Sequence, residues 1–225
     1  MRQDRLDALR GTWMLWMAGF HFCFDLATFR LTDWNFYTDP FWTVQRSFIL
    51  SGFLFFAGWG QGLALQAGQT PQRFWRRWAQ IAAAAVLVSL GSMLMFPNSW
   101  ISFGVLHAFV VLLPLLRFGA ARLPSLALLL LALVAVLLPI WLQHPVFDNR
   151  WLNGVGLVTR KPITEDYVPL LPWAAPMLLG LLASRHLQLP GSAPALLVSI
   201  GRWPLMFYLL HQPVFIGGLL LWRAL

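Results

Sequence analysis

Charge is what this sequence has least of. Asp, Glu, Lys and Arg make up 11% of its 225 residues, where a soluble domain carries about 25%. That shortage excludes an ordinary water-soluble globule. Cysteine is nearly absent too. Cys23 stands alone, so no intrachain disulfide can form and thiols say nothing of the redox compartment. No cleavable signal peptide is legible: the first apolar run is interrupted by His21 and Asp25, and no small-residue cleavage site follows it. We read it as a retained signal anchor. The chain also lacks internal repeats, low-complexity tracts and the paired-histidine spacing common in metal sites. No metal is expected.

What remains is apolar. Hydrophobic residues make up 59% of the chain, with thirteen Trp and eighteen Phe, which suit lipid and its interfaces. This composition predicts an all-α, polytopic membrane helical bundle of about seven transmembrane helices, forming a single integral-membrane domain over 1–225. The expected spans are 12–31, 41–65, 78–96, 101–116, 125–142, 168–183 and 195–222. The fourth is short for the ~20 residues a span needs. The last is expected to break or bend at Pro204 and Pro213, and Pro176 is a candidate kink in the sixth. Pro97-Asn98-Ser99 reads as a tight turn.

The net charge of +8 reads as topology determinants and headgroup contacts, not as a nucleic-acid surface. With seven spans, one side holds Arg2, Arg5, Arg10, Arg73, Arg76, Arg77, Arg117, Arg122 and Arg185. The other holds Arg30, Arg150, Arg160, Lys161 and Arg223. This asymmetry predicts a cytoplasmic N-terminus and a C-terminus on the other side of the membrane. The loop 143–167 carries three basic residues with Asp148, Glu165 and Asp166 on the basic-poor side, so it is expected to serve more than topology.

The first span is where polar residues gather. His21 is eleven positions after Arg10, which is three helical turns plus about 20°, so the two share a face roughly 16 Å apart along the axis. Asp7 lies one turn before Arg10, and Asp25 one turn after His21. Ionisable groups at membrane depth are costly and usually face a bundle interior with a task there. A carboxylate one turn from an imidazole can fix its tautomer and prepare it as a general base. The same pair can also be a neutralised buried couple. Arg10 can bind a phosphate or carboxylate in two-pronged fashion, or merely anchor the helix with Asp7 as partner. His107 and His211 are the other two histidines within spans. Tyr208 and His211 share a helix face, and Asp166 either faces an acceptor or caps a helix. Ser51-Gly52 and Gly58, Gly60 and Gly62 permit close helix contact.

Taken together these residues resemble a family. Asp7-Ala-Leu-Arg-Gly followed by His21 is similar to the opening of the membrane acyltransferase-three superfamily, and Ser47-Phe-Ile-Leu-Ser-Gly-Phe53 to its second-helix motif. The closer resemblance is to the heparan-alpha-glucosaminide N-acetyltransferase catalytic-domain family, in its small bacterial form. It rests on His21-Phe-Cys-Phe-Asp25-Leu, Phe103-Gly-Val-Leu-His107, Asp166-Tyr-Val-Pro-Leu-Leu-Pro-Trp173 with Leu179-Gly180, and Gly201 through Pro213. The resemblance implies transfer of an acyl group, acetyl from cytoplasmic acetyl-CoA, to a sugar amine or hydroxyl of an envelope glycan. It implies His21 and Asp25 as catalytic, with His21 as base or acyl carrier. It also implies that Arg10 helps hold the donor; beside it Arg46 and His107 are expected at the donor site, and Asp166, Tyr208 and His211 at the acceptor site. Membrane lipid, acyl-CoA and a glycan or amino sugar are the expected partners, and a homodimer is left open. The chain departs from the family's pattern in being short, and in having no histidine in the segment 32–39 after the first helix. Two other functions stay open from the residues alone: a proton-coupled transporter or flippase using His21 and Asp25, and a non-catalytic membrane subunit.

Overall fold

The structure, a computed structural model, describes residues 3–224. Arg2, counted in the charge asymmetry, lies outside them. The chain is 74% helix, and among the described residues there is no strand, only an isolated bridge between Phe103 and Tyr167. Among the described residues eight α-helices follow one another: α1 Asp4–Thr28, α2 Pro40–Gln66, α3 Pro71–Met95, α4 Val105–Pro114, α5 Ser125–Trp141, α6 Leu170–His186, α7 Ala195–Arg202 and α8 Pro204–Ala224. Beyond Pro114, α4 continues as a π-helical segment, Leu115–Gly119, and a 3-10 turn, Ala120–Arg122.

Four of these stretches are long and apolar enough to cross a membrane: Pro40–Gln66, Pro71–Met95, Val105–Arg122 and Pro204–Ala224. Ser125–Trp141 is apolar but shorter. The expected seven is therefore an approximate count. The last expected span is two helices. The backbone leaves helical geometry at Trp203, and Pro204, which cannot donate to the preceding turn, starts α8. Pro213 lies inside α8, and Pro176 inside α6, whose non-helical residue is Leu171.

Two boundaries move because helices here outrun their apolar stretches. α1 begins at Asp4, so Asp7 and Arg10 lie within it and not in a lead-in. α3 begins at Pro71, with the Thr70 side chain accepting from the Arg73 N–H as its N-cap. The expected basic loop 66–77 is thus mostly helix, and Arg73, Arg76 and Arg77 sit on its first turns. Arg117, expected in a short loop, is buried. Its guanidinium donates to the side chain and the carbonyl of Gln69 (2.8 and 2.6 Å) and lies 4.8 Å from the Phe74 ring centre. The turn at 97–99 forms as expected, closed by Ser99 N–H to Phe96 O.

The chain divides into two compact units. The first is Met1–Phe53 with Gln188–Leu225, and the second is Leu54–Leu187. In the first, α7 packs on α1 through a reciprocal pair of glycines: a Cβ on Gly11 would fall on the Leu197 carbonyl, and one on Gly201 on the Asp7 carbonyl. Without a hydrophobic force between helices in lipid, such close backbone approach supplies the packing. Around it Met14, Met17, Phe20, Phe36, Trp42 and Ile49 form a buried cluster that Phe207 and Tyr208 join. In the second unit Gly58 and Gly62 of α2 meet α6 at Met177 and Ser184, and Gly180 of α6 meets Phe55. Close contact at Gly58 and Gly62 was legible from their spacing.

Candidate active site

The first unit brings His21 and His211 together. Helices α1 and α8 carry them, and His21 Nδ1 lies 3.2 Å from His211 Nε2. The other ring nitrogen of His211, Nδ1, faces two backbone carbonyls of its own helix, Tyr208 O at 2.7 Å and Phe207 O at 3.3 Å. His211 is buried, with Phe207 parallel to its ring and Phe215 edge-on. His21 is half-buried, and its Nε2 has no hydrogen-bond partner among the described residues.

Asp25, expected beside His21, is buried but bonds elsewhere. Its Oδ1 accepts from Gln212 Nε2 at 3.4 Å. Asp25 Oδ2 and Gln212 Oε1 are buried acceptors without a partner among the described residues. The direct His21–Asp25 bond that one-turn spacing suggested does not form: the imidazole's neighbour is a second imidazole from α8. Gln212 escaped the sequence reading, although it follows His211 directly. Tyr208 enters the site through its carbonyl.

Further along α1, Arg10 Nη1 donates to Asp7 Oδ1 at 3.0 Å. Arg202, at the end of α7, donates to Asp4 Oδ1 at 3.2 Å and lies 4.0 Å from Asp7 Oδ2. Asp7 is buried while Arg10 is only partly so. Two carboxylates and two guanidiniums meet here. Arg202 and Asp4 were missed because the ion pairs join helices some 200 residues apart in sequence.

Arg46 is exposed on α2 and has no ion-pair partner among the described residues. It lines a groove of about 430 Å³ with Thr43, Val44, Ser47, Phe48 and Ser51. The three hydroxyls each donate to a carbonyl about one turn earlier. Trp16 Nε1 donates to Gln45 Oε1 at 3.0 Å. Arg46 is therefore level with the stretch of α1 midway between Arg10 and His21.

The two remaining expected site residues, His107 and Asp166, belong to the second unit. The Gly104 N–H donates to His107 Nδ1 at 3.2 Å, so that nitrogen is the acceptor and Nε2 carries the proton. Nε2 lies 3.1 Å from Ser89 Oγ, which itself donates to Ile101 O at 2.7 Å. Both ring nitrogens are taken. Asp166 Oδ2 accepts from the Val105 N–H at 2.8 Å, at the start of α4. Of the two alternatives for Asp166, capping is the one seen, though of α4 and not of the helix that follows it. Nearby, Ser99 Oγ donates to Glu165 Oε1.

With this arrangement in hand, one comparison decides the family. The model of heparan-alpha-glucosaminide N-acetyltransferase, catalytic, matches residues 2–213. The chain belongs to that family. No curated protein and no solved structure gives a match. Family membership and the apolar helices together fit a membrane acyltransferase, and every candidate residue above, from Asp7 to Gln212, falls within the matched stretch.

Proposed function

We propose that the protein transfers an acetyl group from acetyl-CoA to an amine or hydroxyl of an amino sugar or glycan of the bacterial envelope, with His21 as general base. The observation that carries this reading is the free Nε2 of His21, set on α1 with its Nδ1 engaged by His211. A base needs one unengaged nitrogen, fixed in direction, within reach of the acceptor's proton. Asp25 and Gln212 supply unpartnered acceptor oxygens that suit an N–H or O–H of the acceptor. Arg10 and Arg46 serve the donor: coenzyme A carries phosphates, and guanidinium is the group matched to them.

Orientation follows from charge. The N-terminal end, rich in arginine, faces the cytoplasm where acyl-CoA is made, and the acceptor enters from the other side in a plasma membrane. His107 and Asp166, with their polar atoms engaged by the chain, serve as supports in this reading.

The test is release of free thiol from acetyl-CoA by the purified protein in lipid nanodiscs, with and without glucosamine-type acceptors. Acceptor-dependent release with acetylated sugar as product is the expected result. No release with any amino or hydroxyl acceptor, together with proton-coupled flux of a solute in proteoliposomes, would overturn acyl transfer in favour of transport.

A further inference from the structure

The partners of His211 decide where the protons of the pair lie. Its Nδ1 is 2.7 Å from Tyr208 O and 3.3 Å from Phe207 O. Carbonyl oxygens only accept, so Nδ1 must carry a proton. In the neutral ring Nε2 is then a bare lone pair, and the one group in front of it is His21 Nδ1 at 3.2 Å. Two lone pairs facing each other repel, so His21 Nδ1 carries the proton that joins them. His21 Nε2 is left unprotonated. The assignment follows from the acceptor chemistry of two backbone carbonyls, and neither carboxylate nor metal enters it.

We infer that His211 is a positioning residue that holds His21 in the Nδ1–H form, and that the two rings together store the acceptor's proton during transfer. This rests on the acyltransferase reading. As the acceptor nitrogen or oxygen attacks the thioester carbonyl, its proton moves to His21 Nε2. The Nδ1 proton of His21 passes to His211 Nε2, and the positive charge is then on a ring whose Nδ1–H is held by Tyr208 O. The new bond from carbonyl carbon to acceptor forms and the C–S bond breaks. The proton returns by the same two steps to the departing thiolate, giving free thiol and two neutral rings. Burial of His211 between Phe207 and Phe215, with ring planes 8° and 84° from its own, keeps its Nε2 aimed at His21 throughout.

Two substitutions separate holding from storing. Gln at 211 can donate to Tyr208 O and accept from His21 Nδ1–H, yet cannot take a proton, whereas Phe can do neither. His211→Phe is expected to lower kcat by about 10²-fold, the lower end of what a mispositioned base costs, with KM for acetyl-CoA unchanged. His211→Gln should recover part of that loss. Nitrogen-15 spectra of histidine-labelled protein, assigned with His21→Gln, should show His21 protonated at Nδ1 without any substrate present, and mixed forms in His211→Phe. Protonation of wild-type His21 at Nε2 would overturn the inference, as would full kcat in a folded His211→Phe. Equal loss in the Gln and Phe variants would overturn the holding role. If the spectra are as expected but the wild type transfers no acyl group, the acyltransferase reading fails and the positioning of His21 stands.

Discussion

His21 on α1 and His107 on α4 are both half-buried histidines, and the chain treats their rings in opposite ways. In the second unit the backbone N–H of Gly104 fills one nitrogen of His107 and Ser89 the other. In the first unit His211 engages one nitrogen of His21, and the second is left without a partner. The difference is in accounting for lone pairs and not in burial, since both rings are half-buried. A ring with both nitrogens bonded ties segments together: here α4, the turn before it and α3. A ring with one nitrogen bonded is oriented and still reactive. An intramembrane histidine is therefore a site candidate only once its partners are counted.

The largest expected effect tests that contrast. His21→Ala should reduce acceptor-dependent thiol release by about 10²–10⁴-fold, the range for loss of a general base, beyond whatever stability is lost by stranding His211 Nε2. His107→Ala should cost stability and spare turnover. It strands the Gly104 N–H and alters the Ser89 contact, at a cost of about 1–3 kcal/mol in stability, while kcat at a temperature where the variant is folded stays near wild type. Unfolding in detergent and turnover in nanodiscs, measured on both variants, give a two-by-two result. If His107→Ala loses turnover as deeply as His21→Ala at unchanged stability, the lone-pair distinction is wrong.

A smaller effect separates the two arginines assigned to the donor. Arg10 is bound into an ion-pair group with Asp7 and Arg202, whereas Arg46 stands alone in its groove. Arg46→Ala removes a guanidinium with no internal partner, so folding should be unaffected. If it meets a coenzyme phosphate, KM for acetyl-CoA should rise by about 10–100-fold, the equivalent of about 1.5–3 kcal/mol for a charged hydrogen bond, with kcat unchanged. Arg10→Ala leaves buried Asp7 with less compensation and should lower stability as well. A KM for Arg46→Ala equal to wild type would remove this residue from the donor site.

Much of this was legible in the sequence, and the gaps have a common cause. Periodicity finds neighbours on one helix, so it found the face shared by Arg10 and His21 and the one-turn spacing of Asp25. It cannot see across helices, and His211, Gln212, Arg202 and Asp4 all reach α1 or each other from helices distant in sequence. Hydropathy marks where lipid begins and not where helix begins. For that reason α1 and α3 start eight and seven residues before their expected apolar stretches, over segments whose Thr70 cap and Pro71 are helix-start signals outweighed by three arginines. Pro204 was the opposite case, because a missing N–H acts locally and breaks the helix whatever packs against it. The family motifs were readable because they bring these separated pieces into one pattern.

The mildest prediction concerns the loop 143–167, where carboxylates act as His107 does. Asp148, exposed, accepts from the Thr159 hydroxyl at 2.6 Å and from the Thr159 and Arg160 N–H groups at 2.7 and 3.4 Å. The Thr159 hydroxyl first, and these backbone donors with it, hold the Asp148 carboxyl below its ordinary value. Burial with the Asp148 charge nearby pushes Tyr167 up to about 12, so its hydroxyl stays protonated and donates to Asn153 O. A carboxyl lowered on folding favours the folded loop at pH above its unfolded value, about 3.9, and that contribution is lost as pH falls through the lower folded value. Acid should thus loosen 144–160 while leaving the His21–His211 pair in place, as read by amide exchange of the loop against that of α1. Asp148→Asn should show at pH 7 the loop exchange that wild type shows only in acid, with turnover unchanged. If instead turnover falls with the loop, the loop is part of the site, and the separation between residues that tie and residues that react must be redrawn to include it.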